Sequence, residues 1–224
     1  VRAMKQPGGK VARIITDTRL QLAEPYSGPT ISGSMVQAEA IPFYWGAPTG
    51  QLAVSGSRIN ISSGVSASSG IGFHREGDYG PMKLIGWLSL TNRQPSHRSW
   101  IGFQDDPIPA SASYGVICEF TGSEIGSGSF VTFYHGEEER TNFAFPSGST
   151  TNDQLKYVFE VTPELCSLSI GNTQVALHEL HIPAPYDDME LVAGVEVIED
   201  SDESSMQIDC VLFQNFNLIA SRQH

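Results

Sequence analysis

Lysine is scarce in this 224-residue chain, with only Lys5, Lys10, Lys83 and Lys156. Charged residues make up 17% and the net charge is −12, which argues against electrostatic capture of nucleic acid. No apolar run approaches the roughly 18 residues that span a bilayer, so membrane insertion is not expected. No window of ten residues has a capped 3.6-residue period, which excludes a helical domain. The three cysteines, Cys118, Cys166 and Cys210, form no C-x-x-C pair. That excludes a zinc knuckle and a dense disulfide framework. No G-x-S-x-G, P-loop or dinucleotide fingerprint occurs.

What is present is apolar content of 40%, with 22 Gly and 13 Pro, enough for one sizeable core. Apolar residues alternate with polar ones in short runs punctuated by turn residues, the signature of strands. Leu155, Tyr157, Phe159 and Val161 share one face, and Met189, Leu191, Ala193, Val195 and Val197 another. Cys166–Ile170 meets Gln174–Leu177 through Gly171-Asn172-Thr173, a hairpin connection. Each cysteine is in phase with apolar neighbours, as buried thiols are. Ser62–Gly72 reads as a loop and Glu137-Glu138-Glu139-Arg140 as an exposed turn. The expected fold is all-β: a two-sheet antiparallel β-sandwich, or jelly roll, with an extended N-terminal arm.

Charge is split along the chain. Residues 1–104 carry ten basic and five acidic side chains, while residues 105–224 carry three and twenty. Arg2, Lys5, Lys10, Arg13 and Arg19 mark residues 1–35 as a basic arm suited to docking on an acidic neighbouring subunit. Within it, Ala12–Leu22 reads as one strand. Residues 36–224 form the sandwich domain.

Three segments carry a family likeness. Phe43-Tyr44-Trp45 is followed by a small-residue turn and the apolar stretch Leu52–Ile61. Tyr114-Gly115-Val116-Ile117-Cys118-Glu119-Phe120 is an aromatic-Gly-apolar strand ending in Glu-Phe. Leu168–Leu177 is a strand–turn–strand with Gly171 and Val175-Ala176. This order resembles the concanavalin A-like superfamily of lectins, glucanases and laminin G-like modules. Glucanases of that superfamily carry an E-x-D-x-(x)-E cluster on one strand, which this chain lacks. Its lectins bind metals through a Glu-x-Asp, and Thr121 stands where that Asp would be.

Hydrolysis of a glycosidic bond needs two carboxylates, one acting as acid and one as base or nucleophile. Glu119 and Glu160 lie mid-strand, off the apolar phase, and are the catalytic candidates; Glu196 and Asp209 are placed similarly. Trp45, Trp100, Tyr79 and Tyr134 are candidate platforms for sugar rings. No cofactor motif is present. Asp200, Asp202 and Glu203 supply oxygens suited to calcium, and His178-x-x-His181 is weak metal spacing.

Low lysine, unpaired thiols, the arm and the absence of a leader pattern favour a non-enzymatic virion protein, a bacteriophage capsid-decoration or tail component. The expected partners are its own subunits, as a homo-oligomer such as a trimer, and other virion proteins, joined in the host cytoplasm. The alternatives are a carbohydrate-binding, lectin-like module for surface glycans, with a secreted location, or a glycan-cleaving hydrolase or lyase.

Overall fold

A computed structural model describes residues 11–16, 19–22, 41–46, 49–55, 58–75, 82–146, 149–183, 189–200 and 202–215. Among them are sixteen strands and no α-helix. Within the stretch expected as an extended arm, β1 (Val11–Thr16) and β2 (Arg19–Leu22) pair antiparallel as a separate two-stranded sheet. Two strands thus replace the single one expected over Ala12–Leu22. Arg13 and Arg19 stand on them, while Arg2, Lys5 and Lys10 lie outside the described residues.

The other fourteen strands form two antiparallel seven-stranded sheets. One, here the β9 sheet, contains β3 (Ile41–Trp45), β6 (Ser69–Arg75), β8 (His97–Gln104), β9 (Tyr114–Thr121), β10 (Ser127–Tyr134), β11 (Glu137–Ala144) and β15 (Glu190–Val197). Its order is β11-β10-β9-β8-β15-β6-β3. The other, the β12 sheet, contains β4 (Gln51–Ser55), β5 (Arg58–Ser62), β7 (Met82–Thr91), β12 (Leu155–Val161), β13 (Cys166–Ile170), β14 (Thr173–His178) and β16 (Ser205–Asn215). It runs β14-β13-β12-β7-β16-β5-β4.

The alternation read in the sequence decides which residues lie between the sheets. Leu155, Tyr157, Phe159 and Val161 of β12 turn inward, as do Leu84, Leu88 and Leu90 of β7. They meet Phe73, Ile101, Phe103, Phe120 and Phe130 from the β9 sheet. Phe159 is ringed by Tyr157, Phe130 and Phe103, at centroid distances of 5.8, 6.0 and 6.5 Å. Offset and edge-on contacts of this kind add about 0.5–1.5 kcal/mol each beyond area burial. Cys118 and Cys166 are free and buried in this core. Burial pushes the Cys166 thiol up to about 12, with Glu139 adding to the rise, so it behaves as an apolar side chain. The side chain of Cys210 lies outside the described residues.

Two polar devices fasten the sandwich. His178 on β14 joins the sheets at one edge, its Nδ1 2.9 Å from Thr132 Oγ1 and its Nε2 3.0 Å from Thr141 Oγ1. Arg93, in the β7–β8 connection, is buried. It donates to the carbonyls of Thr121, Gly122, Glu124 and Ser127 and lies over the Phe120 ring at 5.8 Å. Burial lowers its affinity for the proton, opposed by Glu124 and Cys118, yet an arginine stays charged. One buried cation therefore holds the whole β9–β10 turn.

Two sequence expectations fail locally. Ser69–Arg75, half of it inside the expected loop, is strand β6, and Glu137–Arg140 opens the edge strand β11 rather than lying in a turn.

Candidate functional site

The outer face of the β9 sheet, turned away from the core, carries its own apolar cluster. Phe43, Trp100, Ile117, Val131 and Val192 form it, with Trp45, Ile108 and Phe133 packed against it. Glycines on neighbouring strands make room for the rings. A Cβ at Gly70 would lie 2.1 Å from the Trp45 ring, and one at Gly194 2.6 Å from Trp100. The rings therefore lie directly on backbone. Trp45 stacks with Phe43 at 5.9 Å and 6°, and meets Trp100 at 5.9 Å and 41°. Trp100 is fully buried whereas Trp45 is half-buried, so Trp45 is the ring nearer solvent.

Beside the rings runs a chain of alternating charges. Glu119 on β9 receives two guanidinium groups: Arg98 Nε lies 2.6 Å from its Oε1, and Arg140 Nη1 donates to its Oε2 at 2.9 Å. The Arg98 contact is close, but its N–H is not aligned as a hydrogen bond requires, so charge rather than direction holds it. Arg98 Nη1 reaches Glu196 Oε2 on β15 at 3.8 Å, and Arg140 Nε lies 3.3 Å from Glu138 Oε1. The Arg98 guanidinium also covers the Trp100 ring at 5.9 Å, a cation–π contact. Burial raises the Glu196 carboxyl above its ordinary value; Arg98 opposes the rise and Glu119 adds to it.

The strand registers explain why these residues converge. Glu119 faces Trp100 across the β8–β9 ladder, Trp100 faces Gly194 across β8–β15, and Arg98 faces Glu196 one pleat further along. Ile117 and Gly115 occupy the two preceding outward positions of β9. A one-strand carboxylate cluster is thus absent from β9, and the carboxylates that share arginines with Glu119 come from other strands, Glu196 from β15 through Arg98 and Glu138 from β11 through Arg140.

The residues singled out in the sequence separate. Glu160 sits on the outer face of the β12 sheet, 2.7 Å from Lys83 Nζ. Glu119 and Glu160 are therefore on opposite sides of a sandwich whose sheets pack about 10 Å apart, and they cannot flank one glycosidic bond. Trp45 and Trp100 come together. Tyr134 lies elsewhere, 6.0 Å from Tyr114 and 4.2 Å from His135, and Tyr79 is outside the described residues. Asp200 accepts from the Ala67 N–H at 2.7 Å, and Glu203 accepts from the Ser62 hydroxyl. Asp200 and Glu203 thus tie the β15–β16 turn to the end of β5 and the loop that follows it. Among the described residues, no three His, Cys, Asp or Glu side chains are grouped to hold a metal. No helix among them is long and apolar enough to cross a membrane. Sequence reasoning missed Arg98 and Arg140 as partners of Glu119. The off-phase position of Arg98, two residues before Trp100, was the available signal.

No family model matches the chain, and no curated protein does. Solved structures do. A β-1,3-1,4-glucanase (lichenase) derived from a mouse hindgut metagenome superposes with a TM-score of 0.62 at 10% identity, over 80% of this chain and 94% of that one. The Crh5 transglycosylase in complex with NAG gives 0.61 at 14%, over 85% and 88%. The catalytic domain of an endo-1,3-β-glucanase (laminarinase) from Thermotoga petrophila RKU-1 gives 0.57 at 13%, over 74% and 81%. The chain thus has the two-sheet antiparallel jelly-roll sandwich expected from its sequence, the fold these structures share. The expectation of a non-enzymatic phage virion component is corrected by these neighbours, which are glucanases and a transglycosylase. The glycan-cleaving alternative fits them better, and the viral, capsid and trimer expectations gain no support.

Proposed function

We propose that this chain is a glycan-active enzyme that cleaves a β-linked polysaccharide laid across the outer face of the β9 sheet. The observation that carries the proposal is the Glu119–Arg98–Glu196 arrangement beside the Trp45 ring. Two carboxylates in unlike surroundings divide the acid and base roles between them. Glu196, whose carboxyl burial raises, is the proton donor to the glycosidic oxygen. Glu119, gripped by Arg98 and Arg140, is the partner carboxylate. Trp45, backed by Phe43 and Trp100, offers a ring face on which a sugar stacks. The glucanase and transglycosylase neighbours support this choice of chemistry.

The test is release of reducing ends from mixed-linkage β-glucan, laminarin and chitin oligosaccharides, with product anomers followed by NMR. Cleavage, lost in Glu196→Gln and in Glu119→Gln, is the expected result. Binding of a glucan without any product would overturn catalysis and leave recognition, the reading favoured by Ile117 and Gly115 standing where a second carboxylate on β9 would be. Neither binding nor cleavage would overturn both.

A further inference from the structure

The outer face of the β12 sheet holds a cleft that the catalytic reading does not use. Its volume is about 220 Å³, and it is lined by Arg58, Ser89, Asn152, Gln154, Gln207 and Asp209. Every one of these side chains is polar, and each arrives from a defined place. Arg58 comes from β5, Ser89 from β7, and Gln207 and Asp209 from β16, while Asn152 and Gln154 come from the connection leading into β12. In the ladders Gln207 faces Ser89, and Asp209 faces both Arg58 and Trp87. Asp209 Oδ2 orders the wall, taking Arg58 Nε at 3.3 Å and Gln154 Nε2 at 3.2 Å.

This chemistry selects among ligands. Arg58 is the sole cation of the lining and is paired with Asp209, which argues against a phosphate or carboxylate. One carboxylate is too few for a metal ion, and an all-polar lining rejects an apolar molecule. What remains favoured is a small neutral polyol. Three side-chain amides present donor and acceptor together, which matches neighbouring hydroxyls on a sugar ring. The volume lies below the roughly 300–1,000 Å³ of drug-sized sites, so it suits one ring rather than a chain. Trp87 stands on the same outer face, opposite Asp209 in the ladder, but outside the lining of the cleft, so hydrogen bonding rather than stacking is what the cleft offers a sugar.

We infer that this cleft is a second carbohydrate site, which takes a single neutral hexose ring on the side of the sandwich away from Glu119 and Glu196. A glycan held there would be tethered without being cut. The inference stands apart from the catalytic proposal, because it needs neither carboxylate of the β9 sheet.

The experiment is titration of the full chain with glucose, galactose, mannose and N-acetylglucosamine, followed by saturation-transfer NMR and calorimetry. Inorganic phosphate is the control ligand. Millimolar binding of at least one sugar is expected, weakened about tenfold in Gln207→Ala and in Asn152→Ala, as loss of one or two good hydrogen bonds implies. Glu196→Gln should leave it unchanged. Both cleft substitutions remove lining side chains outside the apolar core, and circular dichroism checks their fold. Three results would overturn the inference: no sugar bound at 50-fold the millimolar range, about 50 mM; binding abolished by Trp45→Ala but untouched by the cleft variants; or phosphate bound in preference to every sugar.

Discussion

The two outer faces of the sandwich each belong to a seven-stranded antiparallel sheet but treat charge differently. On the β9 sheet, Glu119 sits beside buried rings with its side chain 6% exposed and shares two arginines with Glu138 and Glu196. On the β12 sheet, Glu160 is 40% exposed and makes one pair with Lys83. The contrast follows from what lies beneath. Gly70 and Gly194 let tryptophans lie on the strands of the first face, and those rings displace water from the charges around them. No such layer covers Glu160. A sheltered charge network can steer protons, whereas an exposed pair mainly keeps a surface soluble.

Substitutions of matched residues test this contrast, starting with the largest effect. Glu196→Gln should lower glucan cleavage by about 10²–10⁴-fold, the usual worth of a general acid, while Glu160→Gln leaves the rate unchanged in the same reducing-sugar assay. Because the Glu196 carboxyl is raised, it stays protonated to higher pH than an ordinary glutamate. Activity should therefore fall on the alkaline side, as pH rises through that raised value. Equal losses from Glu160→Gln would erase the distinction between the faces.

Trp100→Ala should destabilise the fold by about 3–5 kcal/mol, as loss of a fully buried aromatic does, whereas Trp87→Ala on the other face costs about 1 kcal/mol. Urea midpoints compare them directly. Arg93→Ala should cost about 3 kcal/mol, because four backbone carbonyls lose one shared donor group; recovery in Arg93→Lys would mean that charge alone suffices. Stability should also fall with acidification. Burial lowers the values of His97 and His178, with Glu139 partly opposing it at His178. The unfolded chain therefore binds their protons first, and stability is lost as pH drops below about 6.5, with little change above it. Urea midpoints at several pH values measure the slope, which His178→Gln should reduce. The smallest effect is expected for Lys83→Met, within about 0.5 kcal/mol and nearly absent in high salt.

How much of this was legible in the sequence depended on where the signal sat. Strand β13 stands out because apolar residues and serines alternate strictly along it, and β12 because apolar residues fill every inward position while its outward face is polar except at Val158. Strand β6 does not, because Gly70 and Gly72 erase its outward face, and only the tryptophan and phenylalanine of β3 explain why. Strand β11 was hidden by three consecutive glutamates at a sheet edge, where one flank of the strand is open to water. Glu119 was visible as an off-phase carboxylate, and so was Glu160. Their separation was not, because alternation places a side chain on a face without saying to which sheet that face belongs. The arginines that grip Glu119 come from strands β8 and β11, so their convergence is a property of the topology alone.

The close fit of Trp45 on Gly70 and of Trp100 on Gly194 also bears on how this protein can change over generations. A side chain cannot grow at either glycine while the ring above it remains, and a shrunken ring leaves a gap that the glycine cannot fill. Each pair is thus expected to be inherited as one character: related chains should keep both members or replace both, and rarely show one without the other.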